Sequence, residues 1–492
     1  ANDNVNLSIK KGEIHALVGE NGAGKTTLMN VLYGLYEPEK GQVFYNGKPA
    51  EVDGPQDAIE LGIGMVHQHF MLVDPLTVTE NIILGNEPRN GITINKAQAK
   101  KEVEDISKKY GLYVNPEAKI RDISVGMQQR VEIIKTLYRG ADLLIFDEPT
   151  AVLTPQEIDE LFEIFRSLKE QGKTIIFITH KLKEVKEISD RITVLRSGKS
   201  IDTVNTEEVT EEDVAELMVG RPVLLEVEKE KAAPGEDFFQ IENLKVKDNR
   251  GITAVNGVSL SVKKGEILGI AGVEGNGQSE LIEAVTGLRK IESGQVKING
   301  SDTTGFSADQ IKREKVAHIP EDRQKRGLVM DFDLQENVIL GYHSLEPFSK
   351  NGIMNYNYIK DYTEKLIKEY DIRGGGVTTE AKSLSGGNQQ KFIVAREFSH
   401  DPELLIASQP TRGVDVGSIE FIHKQIVDRR DEGAAVLLVS AELSEILSLS
   451  DRVAVIFEGK IVKILDAEEA DERKLGNLMT GSQAEAGGES GE

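Results

Sequence analysis

Gly19-Glu20-Asn21-Gly22-Ala23-Gly24-Lys25-Thr26 fits the pattern G-x-x-x-x-G-K-[ST] and directly follows the apolar run Ile14-His15-Ala16-Leu17-Val18. A strand therefore runs into a glycine-rich turn, and a helix is expected to follow over 27–33. In such a loop, consecutive backbone N–H groups turn inward and cradle a polyphosphate. Gly19, Glu20, Asn21, Gly22, Ala23, Gly24, Lys25, Thr26 and Thr27 are the candidate binding residues. Lys25 reaches toward the terminal phosphates, and the Thr26 hydroxyl is placed to hold Mg²⁺.

The chain then repeats itself. A slide of 253 residues lays Asn6-Leu7-Ser8-Ile9-Lys10-Lys11-Gly12-Glu13-Ile14 on Ser259-Leu260-Ser261-Val262-Lys263-Lys264-Gly265-Glu266-Ile267, and Gly19 on Gly272. A slide of 261 lays Pro149-Thr150 on Pro410-Thr411 and Ser189-Asp190-Arg191 on Ser450-Asp451-Arg452. The expectation is two tandem copies of one domain, over 1–220 and 238–481, joined by an exposed linker over 221–237. In that linker a charged run leads into Ala232-Ala233-Pro234-Gly235. Residues 482–492 are small, polar and acidic, the composition of a disordered tail. The second copy carries Phe238-Phe239-Gln240-Ile241-Glu242-Asn243-Leu244-Lys245-Val246 ahead of the matching point and the first copy does not. A strand preceding Asn2 is therefore expected to be missing from the first domain.

Composition narrows the class. A net charge of −23, from 59 basic and 82 acidic residues, argues against a nucleic-acid partner, because phosphate backbones are bound through clustered Lys and Arg. There is no cysteine, hence no disulfide and no thiol chemistry. Apolar runs fall far short of the ~20 residues needed to cross a bilayer.

Each copy alternates short apolar strands with helices. In the first, strands are expected at 14–18, 64–67, 143–146, 174–178 and 192–195, with a helix over 156–170. That pattern predicts an α/β domain with a largely parallel sheet and ligands at the carboxyl ends of the strands. Three further sites fall at such ends. Leu143-Leu144-Ile145-Phe146 delivers Asp147 toward the Mg²⁺ and Glu148 toward the attacking water. The strand at 174–178 ends on Thr179-His180, an imidazole within reach of a γ-phosphate. Gln68, after Met65-Val66-His67, is placed to reach both metal and water. His67 and His69 flank it at alternating spacing and point to opposite sides, which argues against a histidine metal site.

Leu384-Ser385-Gly386-Gly387-Asn388-Gln389-Gln390-Lys391 resembles the signature sequence of ATP-binding-cassette ATPases, and Ile123-Ser124-Val125-Gly126-Met127-Gln128-Gln129-Arg130 is its first-copy counterpart. The resemblance covers essentially the whole chain, with the motifs in family order. It implies two P-loop ATPase domains, each a largely parallel sheet with a helical subdomain, using ATP and Mg²⁺. It also implies that the signature of one domain closes over the phosphate loop of the other. The first loop, with Gln68, Asp147, Glu148 and His180, would then be served by Ser385, Gly386, Gly387 and Asn388, with Thr26, Gln68 and Asp147 as the metal set. The second site would join Gly272, Gly275, Gly277, Gln278 and Ser279 to Ser124 and Gly126. There Gln278 stands for the lysine, Ser408 for the aspartate, Gln409 for the glutamate, Ala441 for the histidine and Glu321 for Gln68. The second site is accordingly expected to be degenerate.

Fused pairs with one intact half resemble the energy-coupling subunits of bacterial importers, and the stretches at 64–73 and 407–415 look closest to the nucleoside branch, with simple sugars as the alternative. That implies transmembrane permease subunits, an extracellular substrate-binding lipoprotein as an indirect partner, and a peripheral location at the cytoplasmic face of the cell membrane. The family's permease helix would meet Phe70, Met71, Leu72, Val73, Pro75 and Leu76. Ala151-Val152-Leu153-Thr154 departs from the family, where this segment ends in Asp. A tandem ATPase of ribosomes would keep both sites and a basic linker, and a non-catalytic nucleotide sensor would lack Glu148.

Overall fold

The computed structural model describes residues 2–67, 70–150, 153, 155–222, 227, 229–273 and 275–479. Gln68, His69, Ala151, Val152, Thr154, Glu274 and the tail from Thr480 onward lie outside the described residues. The chain divides into two compact units, Ala1–Val223 and Leu224–Glu492.

In the first unit the runs rich in Ile, Leu, Val and Phe are too short for helices and are apolar on both faces, so they become central strands. Six strands pair in the order Lys199–Asn205, Arg191–Arg196, Ile14–Gly19, Thr174–Ile178, Leu143–Asp147, Ile63–Val66. All neighbours are parallel except the first pair, which is antiparallel. Pleating sends Leu144 and Phe146 to one face and Ile145 to the other, and each face has its own core. On the first face, helix Pro155–Glu170 packs Phe165 against Phe146, with 4.5 Å between ring centroids and the rings tilted by 48°. Burial of one such ring stabilises the unit by about 1.5–3 kcal/mol. Helices Val78–Ile83, Lys96–Tyr110 and Val125–Tyr138 form the helical subdomain beside that core.

The second unit repeats this order as Lys460–Asp466, Arg452–Phe457, Ile267–Ala271, Ala435–Ser440, Leu404–Ser408, Val316–Ile319. The repeated Ser-Asp-Arg has a structural reason. Asp190 and Asp451 each accept a hydrogen bond at 2.8 Å from the first backbone N–H of the phosphate-loop strand, at Ile14 and Ile267. Arg191 and Arg452 reach Glu13 and Glu266 beside it. Both sheets are thereby held in register at the strand that carries the loop.

The strand expected at 238–246 is Asp237–Lys247, and it belongs to a four-stranded antiparallel sheet with Thr253–Lys263, Ile291–Ile298 and Ser301–Asp302. Residues 2–13 of the first unit carry no strand. The described residues between 221 and 237 lie mostly exposed, yet they are anchored. Lys229 donates to the Ser450 carbonyl at 2.6 Å, and Arg430, itself buried, donates to the Glu230 carbonyl at 3.0 Å. Among the described residues no helix is long and apolar enough to cross a membrane.

Candidate nucleotide-binding site

Strand Ile14–Gly19 is buried throughout and ends in the glycine loop. Gly24 takes φ 99°, a left-handed conformation that glycine adopts without a Cβ penalty. The helix therefore starts at Lys25, two residues before the expected position, and runs to Leu32. No side chain caps it, so the dipole end and its N–H groups face the loop unscreened. Gly19 is required for space, since a Cβ there would sit 2.3 Å from the Leu195 carbonyl oxygen.

Lys25 is buried, and its ammonium donates to the carbonyls of Gly19 at 2.7 Å and Glu20 at 3.0 Å. Burial pushes its pKa down, and Glu148, Asp147 and Glu20 pull it back up. A buried cation whose hydrogen bonds among the described residues go to neutral carbonyls is primed to exchange them for phosphate oxygens. Thr26 donates to Asp147 Oδ2 at 3.4 Å. Burial and the neighbouring Glu148 hold the Asp147 carboxyl above its usual range. A hydroxyl beside a carboxylate fits Mg²⁺, which takes one or two protein oxygens and completes its shell with water and phosphate.

Glu148 follows the strand with φ 46°, a conformation rare outside glycine, and its N–H donates to the Ile178 carbonyl at 2.9 Å. This bend turns the carboxylate from the strand line toward the next strand, where His180 Nδ1 lies 3.3 Å from Glu148 Oε1. The His180 hydrogen bond, followed by its charge and that of Lys25, holds the Glu148 carboxyl below its usual range against the opposing effect of burial. The sequence put His180 within reach of a γ-phosphate, and in the structure its ring also meets Glu148. Lys25, Thr26, Asp147, Glu148 and His180 thus converge at the carboxyl end of one sheet, and Gln68 lies outside the described residues.

The second unit keeps the scaffold and changes the chemistry. Gly277 repeats the left-handed cap at φ 96°, and Gln278 Nε2 donates to the Gly272 carbonyl at 3.3 Å, where Lys25 bonds Gly19. Gln409 repeats the bend at φ 48°, with its N–H on the Val439 carbonyl at 2.7 Å. Its side-chain oxygen accepts from the Ala441 backbone N–H at 3.1 Å, at the histidine position. Ser279 donates to Glu321 at 2.9 Å in place of the Thr26–Asp147 contact.

Ser385 caps helix Gly386–Phe398, and its Oγ also accepts from Asn388 Nδ2 at 2.9 Å. Ser124 caps Val125–Tyr138 in the same way. Gly387 has no room for a Cβ, which would lie 2.3 Å from Asp415 Oδ2, and at Gly126 a Cβ would meet the flexible end of Glu157 at 2.7 Å.

Some supporting residues were missed from the sequence. Gln129 and Gln390 hold the carbonyls of Pro149 and Pro410 at 3.0 and 2.8 Å, fixing the segment after each bend. Thr150 and Thr411 each donate to a buried glutamate, Glu184 and Glu445, at 2.7 Å. All six keep the 261-residue repeat spacing, which was the available signal.

A groove in the first unit is lined by Tyr33, Met65, His67, Met71, Leu84 and Lys135, among others. Met71, Val73 and Pro75 are exposed, while Leu72 packs against the core. At the repeat-equivalent place the second unit is filled. Lys312 lies 4.0 Å from the Tyr342 ring centroid, Tyr342 stacks on His400, and Glu397 is buried between Lys312 and Arg396.

A family model described as "ABC transporter" matches residues 2–151 and 255–412. The nucleoside import ATP-binding protein NupA of Lactococcus lactis subsp. cremoris is 56% identical over 98% of this chain and 95% of its own length. The guanosine import ATP-binding protein NupO of Bacillus subtilis is likewise 56% identical, over 99% and 96%. The glucose import ATP-binding protein TsgD13 of Haloferax volcanii is 44% identical, over 98% and 93%. Among solved structures, an RNase-L Inhibitor covers 96% of this chain and 89% of its own at a TM-score of 0.64 and 20% identity, a likeness of fold alone.

Proposed function

The chain belongs to the ABC transporter family, and from that premise we propose that it is the ATP-hydrolysing, energy-coupling subunit of an importer whose substrate is a nucleoside. The observation that carries this reading is the full-length similarity to nucleoside and guanosine import ATP-binding proteins, above that to the glucose import protein. With it goes a complete set of chemical groups in the first unit. Simple sugars are the second substrate class.

The proposed chemistry uses this chain's own residues. The glycine loop binds the ATP phosphates through backbone N–H groups, and Lys25 leaves the carbonyls of Gly19 and Glu20 for phosphate oxygens. Thr26, Asp147 and Gln68 would hold Mg²⁺, which when bound neutralises charge on the phosphates. Glu148 orients the attacking water and draws its proton, and His180 fixes the carboxylate in that role and in its ionised form. The signature of the second unit, Ser385 to Asn388, is proposed to contribute to turnover at this loop, as the family resemblance implies. The second unit's own loop lacks every ionised or imidazole group that the first supplies at Lys25, Asp147, Glu148 and His180, and is proposed to bind nucleotide without hydrolysing it. The work is delivered to permease subunits, one helix of which docks by the groove at Met71, so the chain acts at the cytoplasmic face of the membrane.

Co-purification with a permease, followed by ATPase assay in proteoliposomes with the external binding protein, tests this reading. Nucleosides are expected to stimulate hydrolysis and sugars are not. Stimulation by a sugar alone would reassign the substrate, and ATP turnover that responds to neither in the permease complex would overturn the importer reading.

The His180–Glu148 contact predicts a pH effect. Glu148 works as a carboxylate, and the His180 hydrogen bond is the largest cause lowering its pKa. His180→Ala removes that cause and leaves the burial that raises it, so the carboxylate protonates at higher pH. Besides a lower maximum rate, the acid limb of the kcat profile is expected to move to higher pH. An unmoved acid limb would show that His180 does not tune Glu148.

A further inference from the structure

Arg323 stands two residues beyond Glu321 in the second unit, and its guanidinium reaches across to a segment about 90 residues further along the chain. Nη1 donates to the Arg412 carbonyl at 2.6 Å and Nη2 to the Gly413 carbonyl at 3.1 Å. On its other side lies the signature turn, where a Cβ on Gly386 would sit 2.8 Å from Nη2. The Nε atom is buried and has no hydrogen-bond partner among the described residues. The fork is thus spent on two backbone carbonyls and on close packing against one glycine. The segment it holds also presses on the signature, since Asp415 and Ser418 leave no room for a Cβ on Gly387.

The other end of this arrangement is the second glycine loop. Arg412 Nη1 donates to Glu321 Oε1 at 2.7 Å, and Ser279 donates to Glu321 Oε2 at 2.9 Å. Ser279, Glu321, Arg412, Arg323 and Gly386 therefore form one chain of contacts from the second phosphate loop to the second signature. The first unit keeps a hydroxyl at Thr26 and has none of the other matching residue types. Phe70 stands for Arg323, Val125 for Gly386, Val152 for Gly413 and Thr154 for Asp415. A glycine at the position after the capping serine and an arginine against it occur together in one copy and are absent together from the other, where Val125 follows Ser124.

We propose that Arg323 is a positioning residue, which sets the turn Ser385-Gly386-Gly387 through the carbonyls of Arg412 and Gly413 so that the signature is held ready for hydrolysis. The inference rests on the reading above that this signature contributes to turnover at the Lys25 loop. Arginine is required because one planar fork serves two carbonyls at once, which a lysine ammonium does not reproduce. Gly386 is glycine for the same reason, since any Cβ displaces the fork.

The test uses the full chain in its permease complex, with kcat and KM for ATP measured separately. Arg323→Ala is expected to lower kcat about tenfold with KM within about twofold, and Arg323→Lys to fall between it and the parent. Gly386→Ala is expected to lower kcat in the parent and to add little in the Arg323→Ala background, because both act by removing the same contact. Unchanged kcat in Arg323→Ala and Arg323→Lys, a loss confined to KM, or additive losses in the double variant would each overturn the proposal. Ser385→Arg separates the two levels. If it stops turnover while Arg323→Ala does not, only the role of Arg323 falls, and if it leaves turnover intact, the contribution of the signature falls and this role with it.

Discussion

Lys25→Ala is expected to lower ATP turnover at least 10²-fold, and Gln278→Ala to leave it within about twofold of the parent. The two positions form a matched pair. Each is buried at the first turn of the helix that follows its glycine loop, and each bonds the carbonyl of the loop's first glycine. Truncation leaves a similar void in both, so any cost of packing or folding is shared between the variants. What differs is charge. The Lys25 ammonium sits among Glu148, Asp147 and Glu20 with its hydrogen bonds spent on neutral carbonyls, so phosphate oxygens are better partners than those it has. Gln278 is neutral and already well matched to the Gly272 carbonyl, so its loss removes no stabilisation of transferring charge. Steady-state hydrolysis by the two variants, with thermal unfolding midpoints alongside, decides the matter. Equal losses would mean that both loops turn over ATP and that the asymmetry of the chain lies elsewhere.

The parts of this site that could be read from sequence are those in which the chemistry lies next to the element that positions it. The glycine loop adjoins its strand, and Asp147 and Glu148 follow four apolar residues whose burial fixes where the carboxylates emerge. The repeat extended this to the second unit, where Gln278, Ser408, Gln409 and Ala441 occupy the expected positions. Long-range partners were not legible. That His180 would engage Glu148 depends on a left-handed bend at a glutamate, which no propensity predicts. Arg323 belongs to no motif of the sequence, and Gly386 read only as part of the signature. They come together only in the fold, where Arg323 lies against Gly386 and donates to the carbonyls of Arg412 and Gly413. The groove of the first unit and the buried Lys312–Glu397–Arg396 cluster of the second are likewise the same place in one fold, filled differently by side chains whose neighbours the sequence does not name. The anchoring of the exposed linker was illegible for a similar reason, since its anchors are the Ser450 carbonyl and Arg430, both remote in sequence.

Glu148→Gln is expected to abolish turnover, by 10²-fold or more, while ATP stays bound, and Gln409→Ala to leave hydrolysis largely intact. The backbone makes this comparison sharp, because both residues adopt the same strained bend, φ 46° and 48°, on the same neighbouring-strand carbonyl. Strain of this kind costs on the order of 1–3 kcal/mol and persists only where the surroundings enforce it. In the first unit it aims a carboxylate at the strand end where His180 waits. In the second it aims an amide whose oxygen is already occupied by the Ala441 N–H. Glu148→Gln keeps the size and the bend and removes the carboxylate proposed to take a proton from water, so binding and chemistry separate. Nucleotide retained after rapid gel filtration, together with the absence of released phosphate, would show the separation. The reverse substitution, Gln409→Glu, is expected to restore nothing by itself. A new carboxylate would still face Gln278 in place of lysine, Ser408 in place of the aspartate and Ala441 in place of the histidine. Hydrolysis in a Glu148→Gln, Gln409→Glu double variant would therefore overturn the assignment, because it would mean that the bend and the glycine loop suffice without the cation, the aspartate and the imidazole.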